Sequence, residues 1–354
     1  MMLKNFGQME QFVREQSGKK RVALAAAHDA DALGSLMMAV DRGIAEAILI
    51  GRRKEIVRVL DEMGKDAGDF RIIEEEDDRA AADKAVELVH CGEADMPMKG
   101  LMHTSTFMKA ILDKEKGLKE DGNLLSQASV FEIPEKDRFL IISDCAVNID
   151  PDLETKIKIT ENAAALAHTL GIEQPKIAVL SAVEVVNPKI RSTVDAAAMR
   201  ERLSDRYLID GPLALDNAID EAAAHHKGIE SPVAGNADIL IVPDLWSGNI
   251  FSKGLVFFAH LRSAGTLNGL KAPVVMSSRT DTVENKYLSI LTAVYTGAGE
   301  KIWVFYTRTV RVFGERLNEA LAPFDLLPIS IYTEVDPEWE EYLDMYEMKQ
   351  WALD

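Results

Sequence analysis

Apolar residues along this chain come in two arrangements. Short, mostly apolar runs at 21–27, 45–50, 70–73, 139–142, 177–180 and 239–242 read as strands buried on both faces. Between them lie longer segments with apolar residues at helical spacing, among them 30–41, 54–63 and 80–90. Strand and helix alternate almost throughout, which predicts an α/β fold with parallel sheets. Strands near the middle of the chain are assigned to a second sheet. The acidic run 74–78 reads as a solvated turn.

The same pattern marks one junction as chemically dense. An apolar run at 272–276 reads as a strand and 287–294 as a helix. Between them stand Ser277, Ser278, Arg279, Thr280, Asp281, Thr282, Glu284, Asn285 and Lys286. Carboxyl ends of strands and N-termini of helices meet at such junctions in open α/β sheets, and ligands bind there. Serines beside an arginine point to an anion, with phosphate as the first candidate.

Composition narrows the setting. A chain of 354 residues has room for roughly two domains of ~150 residues. Its 47% hydrophobic and 28% charged content is that of a soluble globular protein. The formal net charge of −18 argues against nucleic acid or an anionic membrane as the main partner, while leaving room for a local anion site. No apolar run follows the first residues and none is long enough to span a bilayer. Cys91 and Cys145 are too few for a disulfide framework or a zinc cluster, which fits a reducing, cytoplasmic compartment.

Recognised nucleotide and metal motifs are missing. There is no Gly-x-Gly-x-x-Gly after a strand, no P-loop and no His-Glu-x-x-His, and His225 and His226 are adjacent. Four other segments place polar groups at strand ends. They are Met98-Lys99-Gly100 with Thr104, Ser143-Asp144 with Asn148, Asp210-Gly211-Pro212 with Asp216 and Asn217, and Val242-Pro243-Asp244 with Gly248 and Asn249. Lys253 is read at the start of the helix after the last of them. Each alone is compatible with ordinary turn chemistry; together they suggest convergence on one cleft. Met96, Met98, Met102 and Met108 suit either a core or a pocket for a flexible acyl or pantetheine chain, and His103 beside them reads as either a structural residue or a base.

With Leu180-Ser181 through Asn187-Pro188-Lys189 and Ser278-Arg279 through Lys286, these segments resemble the phosphate acetyl/butyryltransferase family, most closely its butyryl branch, over about residues 15–295. The resemblance implies two three-layer α/β domains flanking a cleft, similar to isocitrate and isopropylmalate dehydrogenases. Domain one would hold 1–139 and 280–354, domain two 140–279. It implies direct attack of phosphate on acyl-CoA in a ternary complex, giving acyl phosphate and CoA. Neither metal nor cofactor is required, and coenzyme A is substrate and product.

The resemblance carries roles onto particular residues. Ser278, Arg279, Asp281 and Glu284 fall in the catalytic group. Lys99, Thr104, Asn148, Asp210, Gly211, Asp216, Asn217, Gly248, Asn249, Lys253, Ser277, Asn285 and Lys286 fall among substrate contacts. Asn285 stands where the acetyl branch keeps an aspartate regarded as the base for the CoA thiol, so Asp281, Glu284 and a phosphate oxygen compete for that task, with Asp281 favoured. A homo-oligomer and coupling to an acyl kinase are implied as well. The alternatives are a phosphate acetyltransferase, or a non-catalytic acyl-CoA-binding relative. The resemblance stops before the tail beyond 296. That tail holds Trp303, Trp339 and Trp351 and reads as strand 302–313, helix 315–321, strand 327–332 and helix 337–351.

Overall fold

The computed structural model describes residues 2–297 except 17, 120 and 121, so the elements expected after 297 lie outside the described residues. In chain order the elements are α1 (Phe6–Glu15), β1 (Lys20–Ala25), α2 (Ala30–Asp41), β2 (Ala45–Gly51), α3 (Arg53–Glu62), β3 (Arg71–Glu74), α4 (Asp78–His90), β4 (Met96–Lys99) and α5 (Thr104–Ile111). There follow β5 (Ser126–Ile133), β6 (Arg138–Ser143), α6 (Leu153–Thr169), β7 (Lys176–Leu180), α7 (Arg191–Leu203) and β8 (Leu208–Leu213). The remainder are α8 (Leu215–Ile219), α9 (Glu221–His226), β9 (Ile239–Ile241), α10 (Leu245–Phe257), β10 (Ser263–Asn268) and α11 (Val283–Gly297).

Two sheets organise these elements. The first has the order β3-β2-β1-β4 and is parallel throughout. Its strands alternate between faces: Val22 and Leu24 of β1 pack in a core with α1, α2 and α11, while Ala23 and Ala25 pack against α4 and α5. The second sheet has the order β10-β5-β6-β9-β7-β8. Ile141, Ile177 and Ile239 join the first of those cores together with α6 and α7, whereas Ile142, Ala178 and Leu240 face a third cluster around α8 and α10. One apolar core therefore runs between the two sheets.

Four expectations change. The second sheet is mixed, because β5 is antiparallel to both β6 and β10. It also begins at Ser126, ahead of the crossing expected near 140. The strand expected at 272–276 is reduced to a single parallel bridge between Met98 and Val275. Pro273 has no N–H to give, so only Val275 connects, donating to Pro97 O (3.0 Å) and accepting from Lys99 N (3.0 Å). The acidic run does more than face water: Asp77 caps α4 by accepting from Ala80 N at 2.9 Å.

Candidate active site

In the first sheet the chain moves outward from β1 to β2 and β3, then returns to β4 on the other side of β1. The order reverses between β1 and β4, which is where an open α/β sheet leaves a crevice at its carboxyl ends. A cavity of ≈ 50 Å³ lies there, lined by Asp29, Ala32, Lys99, Gly100, Leu101, Ser277, Ser278, Arg279 and Lys286. At roughly 10–15 Å³ of such space per water, it has room for a few waters or a small anion.

Local sequence explains how these groups meet. Asp29 follows β1 and caps α2, accepting from Ala32 N at 2.9 Å. Gly100 follows β4 so closely against β1 that an added Cβ would lie 2.3 Å from Ala26 O and 2.5 Å from Ala25 O. Gly100 N donates to Ala25 O (2.8 Å), which pins the turn carrying Lys99 and Leu101. On the other wall Ser278 N donates to the Asp281 carboxylate (2.7 Å), and Ser278 Oγ lies 3.1 Å from Thr280 Oγ1. The Lys286 ammonium donates to Asp281 O and, at 3.4 Å, to Arg279 O. Behind the loop, Tyr287 and Arg42 both donate to Glu10, at 2.7 and 2.8 Å, locking α11 to α1 and α2.

Electrostatics separate this place from the rest of an acidic molecule. Lys99 is 3% exposed, and its ammonium donates to Gly100 O at 3.3 Å. Burial first, then Arg279 and Lys286, pull its ammonium below the ordinary lysine value, against Asp29 and Asp281. Burial lifts the Asp281 carboxyl above the usual carboxylate value, opposed by the Ser278 N–H and by Lys286, Lys253 and Lys99. Four cations thus act on this cluster against two carboxylates. Among the described residues, none of the four has a carboxylate oxygen within 4.0 Å. Cations left unpaired around a cavity are arranged for an anion that arrives from solvent.

The other expected residues divide into those near this cavity and those held elsewhere. Lys253 lies past the middle of α10 rather than at its start, and its charge reaches Asp281. Glu284 turns away to pair with Arg262 (3.0 Å), which also reaches Glu132. Asn285 is buried and accepts from Ser263 N of edge strand β10 (3.2 Å), as Ser289 Oγ accepts from Gly265 N (3.0 Å). Thr104 opens α5 and is exposed.

Asn148, Gly248 and Asn249 gather around Asp144, at the carboxyl end of β6. The Asp144 carboxylate accepts from the N–H groups of Ala146 (2.8 Å) and Val147 (2.9 Å) and from Asn148 Nδ2 (2.6 Å). A Cβ at Gly248 would stand 2.5 Å from Asp144 O, and Asn249 Nδ2 donates to Cys145 O at 3.2 Å. Cys145 itself is buried, which pushes its thiol up to about 12.

The third group sits at β8 and α8. Asp210 pairs with Arg200 (3.3 Å) and accepts from Gly211 N (2.8 Å). It lines a separate, open cavity of ≈ 700 Å³ with Val186, Val194 and Pro232. Asp216 meets Lys227 at 3.4 Å, and Asn217 is fully buried, donating to Glu184 at 3.4 Å. The methionines resolve in favour of the core: Met96 and Met98 are 0% exposed, and Met102 and Met108 pack with Phe107.

Sequence reasoning missed Asp29, Ala32 and Leu101 as cavity residues. The signal for Asp29 was present, since His28-Asp29 is a polar pair at the end of the first strand. Among the described residues no group of three or more His, Cys, Asp or Glu is placed to hold a metal ion, and no helix is long and apolar enough to cross a membrane.

Fold and junction together are those of an acyl-transfer family. The chain belongs to the phosphate acetyl/butaryl transferase family, whose profile matches residues 79–294. A phosphate butyryltransferase of Clostridium acetobutylicum is 45% identical over 305 residues, covering 85% of this chain and 100% of that protein. A phosphate acetyltransferase of Thermotoga maritima is 42% identical over 294 residues, covering 81% of this chain and 99% of that one. The crystal structure of a branched-chain phosphotransacylase from Enterococcus faecalis superposes with a TM-score of 0.72 at 34% identity, over 79% of this chain and all of the other. A profile of a family of unknown function matches residues 277–346, running past the end of the first match.

Proposed function

We propose that this protein is a phosphate acyltransferase that converts butyryl-CoA, or a similar short-chain acyl-CoA, and phosphate into acyl phosphate and CoA. The observation that carries the reading is the set of unpaired cations around the β1/β4 cavity, in a chain whose net charge is −18. Arg279 is exposed and offers a planar fork to two phosphate oxygens, while Lys99 supplies a second charge from the cavity wall. Fixing phosphate there holds one lone pair toward a thioester carbonyl, and orientation of this kind supplies much of the rate. Ser278 Oγ donates to the developing oxyanion or to the departing sulfur, worth roughly 10²–10³ in rate.

Direct attack is preferred to an acyl-enzyme for a physical reason. Among the described residues, Ser278 Oγ has Thr280 Oγ1 and Thr280 N as partners and no histidine to activate it, and the buried Cys145 stays a thiol. The expected kinetics are therefore sequential: double-reciprocal plots at varied phosphate and butyryl-CoA intersect. Parallel lines, or CoA released in a burst without phosphate, would contradict direct attack.

Asp281 takes the proton of the CoA thiol in the reverse direction and returns it in the forward one. Burial raises its pKa above the usual carboxylate value, which makes it a better proton acceptor than a solvated carboxylate. It must be ionised to accept a proton, so the reverse rate falls as pH drops through its pKa, above the usual carboxylate range. Asp281→Asn is expected to lower turnover at least tenfold and to remove that acid limb, with CoA affinity nearly unchanged. Near-normal turnover would sink the assignment.

The two sheets are taken to flank a cleft in the manner of isocitrate and isopropylmalate dehydrogenases, with 140–279 as the second domain and β5 completing its sheet. Asn148, Asn249, Lys253, Asp210, Asp216 and Thr104 then contact CoA along it, while the buried Gly211, Asn217 and Gly248 hold the turns that carry them. The exposed stripe Trp246, Ile250 and Phe257 on α10 supports a homo-oligomer. The product is a mixed anhydride, which an acyl kinase would consume, and the setting is cytoplasmic.

A further inference from the structure

We propose that Leu101 is the residue that reads acyl-chain length. The inference rests on the phosphate reading of the β1/β4 cavity and extends it to the second substrate. Six of the nine residues lining that cavity are polar or charged, and the other three are Ala32, Gly100 and Leu101. Ala32 is 2% exposed and presents a single methyl from the first turn of α2. Gly100 presents backbone. Leu101 is therefore the one sizeable apolar side chain at the anion's position, and 44% of it is open to solvent.

Its place is fixed by main chain rather than by its own packing. Gly100 is wedged against Ala25 and Ala26, Leu101 N donates to Ala26 O at 3.2 Å, and Met102 N donates to Gly100 O at 2.9 Å. The leucine is thus held beside Lys99 and Ser278 independently of what its side chain touches.

Reaction geometry then brings the acyl chain to it. A carbonyl carbon under attack lies about 3–3.5 Å from the attacking oxygen, so the first methylenes of the acyl group must pass the rim of the anion cavity. Charged and hydroxyl side chains, the single Ala32 methyl and Gly100 backbone make up the rest of that lining, so an apolar chain finds its largest apolar surface against Leu101. One methylene against an apolar wall discriminates by about 10–200-fold. A wall on one side and open to water belongs at the low end of that range.

The test is kcat/KM for butyryl-CoA and acetyl-CoA, with phosphate KM, in the wild type and in Leu101→Ala. The butyryl-to-acetyl ratio is expected to fall about tenfold. The acetyl-CoA value and phosphate KM should stay within about twofold, which also reports an intact fold. An unchanged ratio overturns the role of Leu101 and leaves the phosphate reading standing. An equal loss with both acyl-CoAs makes Leu101 structural and overturns the inference. A wild type inactive with both overturns the functional reading and this inference with it.

Discussion

Arg279→Met is expected to lower kcat/KM for phosphate by about 10²–10³, the usual loss when one preorganised donor to a developing charge is removed. The side chain is exposed, and among the described residues it makes no ion pair, so its removal takes nothing from the core. The loss should appear mainly with phosphate as the varied substrate, with KM for butyryl-CoA changing little. Arg279→Lys separates charge from geometry. It keeps a cation but gives up the two-point fork, and recovery of only part of the activity is expected. A second consequence follows at Lys99, because Arg279 is one of the charges that destabilise its ammonium. Full activity in both variants would remove Arg279 from the phosphate site.

Gly100→Ala is expected to damage both stability and turnover. An added Cβ would meet two backbone carbonyl oxygens at 2.3 and 2.5 Å, and neither is the free end of a flexible side chain. The β1 end, the β4 end or both must shift, at a cost of about 1–3 kcal/mol. Lys99 and Leu101 flank the displaced residue. A shift of about 1 Å in groups that position substrate costs about 10² in kcat. Thermal unfolding and initial rates on the same preparation check this. A variant with unchanged Tm and unchanged kcat would show that the turn has more room than its contacts indicate.

How far the sequence revealed this arrangement depends on which interactions are local. The strands at the centre of the sheets were legible in Val22–Ala25, Ile48–Ile50, Phe139–Ile142 and Ile177–Leu180, because burial on both faces demands unbroken apolar runs. Strands β5 and β10 were not. The segment Ser126-Gln127-Ala128-Ser129 and the segment Ser263-Ala264-Gly265-Thr266 carry polar and small residues that take their strand conformation from each other, with the paired residues Ser129 and Gly265 lying 136 positions apart (265 − 129).

The candidate site divides in the same way. The polar junction 277–286 stood out because serine, arginine and lysine cluster where a strand gives way to a helix. Helical phase, invisible in a list of residues, then sorted its members. At 3.6 residues per turn, Glu284 and Asn285 turn toward Arg262 and β10, while Lys286 turns back under the loop. Leu101 was hidden for the opposite reason: one leucine after Lys99-Gly100 is unremarkable until the cavity shows its neighbours to be charged.

The central claim is that this cavity binds the phosphate that attacks an acyl-CoA. It is tested most directly by the rate of CoA thiol release from butyryl-CoA, measured with the full chain as phosphate is titrated from zero. The account predicts saturable release that is absent without phosphate. Release that ignores phosphate, or none with acetyl-, propionyl-, butyryl- or branched acyl-CoA, would contradict it.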